Sequence, residues 1–355
     1  MSVNKEALFA HAFNVLPGLG ALRLGRILKF FGSFETAWAS RHQEIIFKTG
    51  DEALSAILEP RARIDPESEW KKLESSGIRV VSLFDESYPS LLKEIPHPPA
   101  ILYYRGKLGD THPAVAVVGT RRATRYGLEV AEILARDLAS AGICVVSGLA
   151  LGIDSRAHRG TLNTGGKTIA VLGSGINHIY PVQNKGLAEK IIEQGGAVVS
   201  EFPPDYPPDR WTFPQRNRIV AGLSKLVVVV EAPQKSGALI TANLALDYNR
   251  DVGAVPGEVL SVNSFGANAL LKNGAAVIRS SQDVFEILGI ETPSNQMLDK
   301  LNGDDQYLVD LLEEPSGTDS LLEKSGLEPG VLNQKLTLLE LSGKIKNIGG
   351  IFHKA

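Results

Sequence analysis

Residues 114–127 read AVAVVGTRRATRYG, and residues 226–241 read LVVVVEAPQKSGALIT. Each opens on an apolar, β-branched run with no polar alternation, breaks at glycine and polar residues, and then turns helical. A strand reads this way when helices cover both of its faces. The same punctuation recurs at 143–146, 168–172, 197–199 and 252–255, with a last short run at 276–278. The repeated alternation predicts an α/β fold built on a doubly wound, mostly parallel sheet.

Working outward, the segment 70–106 is mixed, with a strand-like run at 78–81 and the prolines Pro96, Pro98 and Pro99; it joins the sheet in one domain expected over 66–290. Residues 1–65 carry apolar residues at helical spacing through 7–15 and 22–31, which reads as a helical domain of the SAM or helix-hairpin-helix-like kind. Its turn, Leu16-Pro17-Gly18-Leu19-Gly20, either offers backbone N–H groups to a phosphate or is a tight turn that holds no ligand. The polar stretch with Pro293, Ser294 and Asn295 predicts a linker over 291–303. Residues 304–355 give three helical stretches and a strand pair, the order of a winged helix. The third helix, 329–342, has Lys335 as its only basic residue and also carries Glu340, so protein contact or an accessory role suits it better than reading a groove. Lys344, Lys346 and Lys354 are placed to touch phosphate from the wing.

With 355 residues, 43% apolar and 22% charged, the chain can hold one full core and smaller domains beside it. Its single cysteine, Cys144, lies in an apolar run and reads as core; that excludes a disulfide framework and a multi-cysteine metal site, and the seven histidines are scattered, so no metal is expected. No run reaches the roughly 18 apolar residues of a membrane span, and MSVNKEALFAHAF has no apolar signal core. The expectation is a cytoplasmic protein with no membrane partner. A net charge of −3 excludes a generally basic coat and leaves room for a local basic patch.

Ligands of a doubly wound sheet collect beyond the carboxyl ends of its strands, so the residues after each run are the informative ones. The first loop holds Gly119, Thr120, Arg121 and Arg122, with Arg125 and Tyr126 close behind; the second holds Ser147 and Gly148, and the third Gly173, Ser174 and Gly175 with Lys185 downstream. The fourth leads to Trp211, Phe213, Arg216, Asn217 and Arg218, and the fifth to Lys235, Ser236 and Gly237. Glycines let backbone amides approach an anion, and helix N-termini add a favourable dipole. Alternating aromatic and basic residues suit a single nucleic-acid strand, whose bases stack and whose phosphates need cations. Asp154 and Glu201 read either as a carboxylate pair or as structural groups, Asp154 capping its helix and Glu201 holding arginines.

A dinucleotide site does not fit. No GxGxxG follows the first strand, the second ends in Ser147-Gly148 rather than an acidic residue, and His178 stands where Gly173-Ser174-Gly175 would need its third glycine. Neither Ser147 nor Ser174 lies in a GxSxG elbow. No cofactor and no catalytic residue are expected.

The runs VVGTRRATRYG, VVSGLALGIDSRAHRG, VLGSGINHIYP, FPQRNRIVAGLS and KSGALITANLAL, in this order across 114–288, resemble the DprA/Smf family, as does YPSLLKEIPHPPAILYYRG upstream. The resemblance implies an extended Rossmann-like domain that binds single-stranded DNA without strong sequence preference, forms a homodimer, and helps load RecA during natural transformation and recombination. It carries DNA-binding roles onto Arg121, Lys185, Asn217 and Arg218, with Lys190 an alternative to Lys185. The apolar stretch 238–246 suits either core or dimer interface. The rival reading is an enzyme, a LOG-like nucleotide phosphoribohydrolase of similar fold, but the corresponding stretch 235–243, KSGALITAN, lacks the catalytic glutamate of that family's PGGxGTxxE loop.

Overall fold

The structure is a computed structural model that describes residues 4–109, 112–290, 303–341 and 344–354. The chain divides into two compact units, one ending at Leu288 and one beginning at Gly289. Among the described residues, no helix is long and apolar enough to cross a membrane.

In the first unit the apolar runs become β3 (Ala114–Val118), β4 (Cys144–Ser147), β5 (Thr168–Val171), β6 (Ala197–Ser200), β7 (Leu226–Val229), β8 (Asp251–Ala254) and β9 (Ala276–Val277). Ahead of them come β1 (Arg79–Ser82) and β2 (Ile101–Gly106). The described sheet runs β1-β2-β6-β5-β4-β3-β7-β8-β9. From β3 to β9 every pairing is parallel, whereas β1 and β2 continue the β6 edge antiparallel. The chain lays β4, β5 and β6 on one side of β3 and then returns to place β7, β8 and β9 on the other. The loops after β3 and β7 therefore part at a topological switch point, where such sheets open a crevice.

The helices of this unit are α1 (Lys5–Asn14), α2 (Ala21–Phe31), α3 (Phe34–Ala39), α4 (His42–Thr49), α5 (Leu54–Leu58), α6 (Pro66–Ser75), α7 (Ser90–Lys93), α8 (Arg125–Ser140), α9 (Ile153–Leu162), α10 (Lys185–Glu193), α11 (Thr212–Gly222), α12 (Gly237–Asp247), α13 (Phe265–Lys272) and α14 (Ser281–Leu288). Their ends follow local chemistry: Asn4 accepts from the Glu6 and Ala7 amides, Thr124 caps α8 through the Gly127 amide, and Gly32 ends α2 at φ 71°.

Three expectations shift. The helices of 1–65 form, but they have no core of their own: Phe13, Leu24, Ile27 and Phe34 share one buried cluster with Tyr103, Ala170 and Val198 of the sheet. Asn14 Nδ2 fastens them to β2 by donating to the Tyr103 hydroxyl (3.1 Å). Second, β4 runs one residue further than the apolar run, so Ser147 is a strand residue and not a loop residue. Third, α8 starts at Arg125, so Arg125 and Tyr126, read with the first loop, are helix residues.

The second unit contains α15 (Gly303–Asp310), β10 (Ser316–Gly317), α16 (Thr318–Ser325), α17 (Pro329–Leu341), β11 (Ile345–Ile348) and β12 (Ile351–Lys354), with described strands in the order β10-β12-β11. Leu308, Leu321, Leu332, Leu336, Ile345 and Phe352 make its separate core. The helix, helix, helix, hairpin order is present, with the short β10 as an addition. The expected linker, 291–303, lies outside the described residues except for Gly303.

Candidate functional site

The crevice is built from glycines that let the loops close on one another. A Cβ on Gly119 would lie 2.5 Å from Ile153 Cγ1 and 2.8 Å from the Glu231 carbonyl oxygen, so only glycine lets the loop after β3 lie against α9 and the end of β7. Glu231, buried just past β7, then fixes that loop. Its carboxylate accepts from the Thr124 amide (2.9 Å) and hydroxyl (2.5 Å), and its carbonyl accepts from the Thr120 amide (2.7 Å). With the loop backbone pinned from below, the side chains of Arg121, Arg122 and Arg125 are left exposed.

Arg121 does not stand alone. Its guanidinium lies 5.2 Å from the centre of the Phe213 ring, and Phe213 lies 5.4 Å from Tyr180 at an interplanar angle of 42°. Phe213 rests on Gly173, where a Cβ would come within 2.7 Å of its Cδ1. A cation over one ring and a second, exposed ring beside it thus sit beyond the ends of β3 and β5. Cation–π attraction at such a partly open site contributes on the order of 1 kcal/mol and orders the arginine.

Beneath this surface is a buried frame. Arg216 is only 4% exposed, and its guanidinium donates to the Gly148 carbonyl (2.7 Å) and to that of Val171. Burial lowers its pKa to about 10 against the opposing pull of Asp154. Asp154, equally buried, accepts from the Gly148 (3.1 Å) and Ala150 (3.4 Å) amides; burial raises its pKa and Arg216 draws it back. Asp154 is thus a structural group held by the Gly148 and Ala150 amides within the field of Arg216, whereas Glu201 is ion-paired with Arg218, so the two carboxylates do not act as a pair.

The residues picked from sequence therefore divide. Arg121, Arg122, Lys185, Lys235 and Gly237 are exposed, Phe213, Asn217, Ser236 and Gly119 partly so. Asn217 donates to the Gly237 carbonyl (3.1 Å) and Ser236 caps α12 through the Ala238 amide, tying the α11 and α12 starts together. Ser147, Gly148, Gly173, Ser174, Gly175, Thr120 and Arg216 are buried. Ser147 donates to the Val117 carbonyl (2.7 Å), Ser174 to that of His178 (2.6 Å), and the Gly175 amide to that of Tyr206 (2.8 Å). Arg218 pairs with Glu201 and donates to the His97 carbonyl (2.7 Å), leaving 12% of its side chain exposed. Tyr180 and Glu231 went unselected. Tyr180 follows the third run as Arg121 follows the first, so the same rule reaches it; the part played by Glu231 depends on a contact between loops remote in sequence.

A larger cavity, about 1120 Å³, lies between the 16–20 turn and the loop after β6, with Trp211 and Tyr206 in its wall. Its arginines and lysine face carboxylates: Arg23 (2.8 Å) and Arg26 (3.8 Å) share Asp51, Lys72 pairs with Glu69 (2.6 Å) and Arg218 with Glu201. At the switch-point edge, by contrast, Arg121 and Arg122 are exposed and have no carboxylate partner among the described residues.

A doubly wound sheet whose switch point carries exposed arginines beside aromatic rings defines a protein of the Rossmann-like class. Its family follows from comparison with known proteins. Residues 79–289 match the sequence model of the family described as DNA recombination-mediator protein A, and the chain belongs to that family. It is 39% identical over 293 residues to the Smf protein of Synechocystis, covering 81% of this chain and 73% of that one. It is 40% identical over 214 residues to the DNA processing protein DprA of Bacillus subtilis, covering 60% and 72%. Among solved structures, DprA of Streptococcus pneumoniae matches with a TM-score of 0.71 at 35% identity, over 80% of this chain and 98% of that one. DprA of Helicobacter pylori, whose structure concerns its single-stranded DNA binding mode, matches with a TM-score of 0.53 at 33% identity, over 59% and 95%. The matched stretch, 79–289, is the sheet and its helices from β1 through α14, which contains the whole Arg121–Phe213–Tyr180 cluster.

Proposed function

We propose that this chain binds single-stranded DNA at the switch-point edge, without strong sequence preference, and helps load RecA onto it, acting as a cytoplasmic homodimer and not as an enzyme. The observation that carries the reading is Arg121 stacked over Phe213 beside the exposed Tyr180. Rings offer stacking faces to any base, and the cation meets the phosphate that follows. Arg122, Lys185 and Lys235 supply further positive charge around the crevice, and the H. pylori relative, named for binding single-stranded DNA, supports the same ligand here. The recombination-mediator family supports the transfer to a recombinase.

The test is fluorescence anisotropy of a labelled oligothymidine across a salt series, with a duplex control. Wild type should bind the single strand in preference, with affinity falling steeply as salt rises. Arg121→Glu should weaken it at least tenfold. Equal binding by the variant would overturn the reading, and release of free base from nucleoside monophosphates, lost in Arg121→Ala, would put the phosphoribohydrolase in its place.

A further inference from the structure

Beyond the stacking cluster, the first loop borders a second opening. A cavity of about 510 Å³ is lined by Arg121, Arg122, Arg156 and Arg159 together with Gly152 and Ser155. We propose that it is a phosphate-binding groove, running down the face shared by α8 and α9, that takes the sugar–phosphate backbone of the same single strand whose bases stack on Phe213 and Tyr180. The inference rests on the reading of that cluster as a single-strand site and extends it to residues outside the loops.

The geometry is specific. Gly152 stands at φ +80°, and a Cβ there would lie 2.9 Å from the Arg121 carbonyl carbon and oxygen. Glycine at this point lets the loop after β3 lie directly on the start of α9, which brings Arg121 and Arg122 to the same opening as Arg156 and Arg159. The latter two are three residues apart on one helix, hence neighbours on one face. Four arginines line the opening, and of these Arg156 is bound to a carboxylate, Glu132, at 3.0 Å. Among the described residues Arg121, Arg122 and Arg159 have no carboxylate partner. In a chain of net charge −3, such a concentration of one sign is self-repelling unless an anion fills it.

The lining also says which part of a strand fits. No aromatic ring lines this opening, whose polar side chains are four arginines and Ser155 against an apolar wall of Ala123 and Leu128, so it suits phosphodiester oxygens and not bases. Arg121 belongs to both places, with its guanidinium over Phe213 and its side chain in the groove wall. It would therefore be the turning point where the backbone leaves the stacked bases and enters the groove.

The experiment compares salt dependence of oligothymidine binding by wild type, Arg159→Ala and the double variant Arg156→Ala/Arg159→Ala, with Arg63→Ala as an equal loss of exposed charge elsewhere. Thermal melts check that each variant is folded; these side chains lie outside the core. For a long oligomer, each phosphate contact removed should lower the slope of log affinity against log salt by about 0.7, so Arg159→Ala should lose about 0.7 and the double variant little more, Arg156 being already paired with Glu132, while Arg63→Ala keeps the wild-type slope. For the shortest oligomer that still binds, the variants and wild type should agree. Unchanged slopes in the groove variants, with Arg121→Glu and Phe213→Ala still weakening binding, would overturn the groove and leave the cluster standing. An equal fall in Arg63→Ala would reduce the effect to net charge and overturn it too. If wild type bound no single strand, or if the cluster variants bound as well as wild type, the cluster reading would fail and the groove with it.

Discussion

At the residue scale, Arg121 and Arg216 carry the same side chain to opposite ends. Arg121 is exposed and replaceable as far as folding goes, whereas Arg216 is buried against two carbonyls and Asp154. Arg121→Ala should therefore lower urea stability by no more than about 1 kcal/mol, the loss of its contact with Phe213, while weakening DNA binding. Arg216→Ala should cost about 3 kcal/mol, because it leaves the buried Gly148 and Val171 carbonyls without their donor and removes the positive charge near Asp154. Paired urea melts and anisotropy titrations give the crossed pattern; an Arg216→Ala protein as stable as wild type would refute the framework role. In the sequence the segment Arg216-Asn217-Arg218 presents two equivalent cations, and nothing local separates them. The separation comes from Gly148, whose missing side chain admits the Arg216 guanidinium, with 2.5 Å between a would-be Cβ and Nη2. Burial of that kind depends on a contact between residues 68 apart in the chain, which is why the sequence reading took Arg216 as a surface group.

His11 gives a second residue-scale prediction. It is buried with Nδ1 2.8 Å from the Tyr103 hydroxyl, and burial is the main cause that lowers its pKa to about 4 from 6.5. The folded state then holds fewer protons than the unfolded chain, so this contribution to stability is complete above pH 6.5 and is lost as pH falls toward 4. The loss by pH 4 is on the order of 3 kcal/mol. Asp154 and Glu201, raised by burial, act with the opposite sign in both proteins. The difference between wild type and His11→Gln in urea stability from pH 7 to pH 4 isolates the histidine: Gln should flatten the fall, and parallel curves would refute it.

At the scale of elements, the site depends on how α9 meets the loop after β3. Gly152→Ala should cost about 1–3 kcal/mol through its positive φ alone, and the contact with Arg121 should also displace the loop. Urea melts and oligothymidine titration should both register the change, with weaker binding by the folded variant; full affinity would mean that the loop is positioned without Gly152. The strands were legible because both-faced burial leaves an uninterrupted apolar run, as in 226–230. Their ends were less so: Ser147 is polar yet sits inside β4, its hydroxyl satisfied by the Val117 carbonyl of the neighbouring strand. Likewise the helical spacing of 7–15 and 22–31 was plain, but whether those helices close a core or borrow one depends on Tyr103 and Val198, far along the chain.

At the scale of the whole molecule, charge and apolar surface are sorted within the first unit. Arg121, Phe213, Tyr180 and the α8–α9 groove all precede Leu288, so residues 1–290 should keep the oligothymidine affinity of the full chain, within about threefold. The same unit exposes Val259 (79%), Leu260 (91%) and Val262 (64%) in one stretch ahead of α13. Apolar side chains that open in series suit a protein partner, and a second copy is the one the family resemblance implies. Two joined copies would present two cation–aromatic edges, and the second would bind a long strand at high effective concentration. Val259→Asp/Leu260→Asp, both far outside the core, should then turn a dimer into a monomer in light scattering, and should weaken long oligothymidines by tenfold or more while leaving short ones unchanged. A wild-type monomer would remove the premise. A variant that stays dimeric would move the interface elsewhere, with the apolar residues of α12, Ile240 and Leu246, next to be tested.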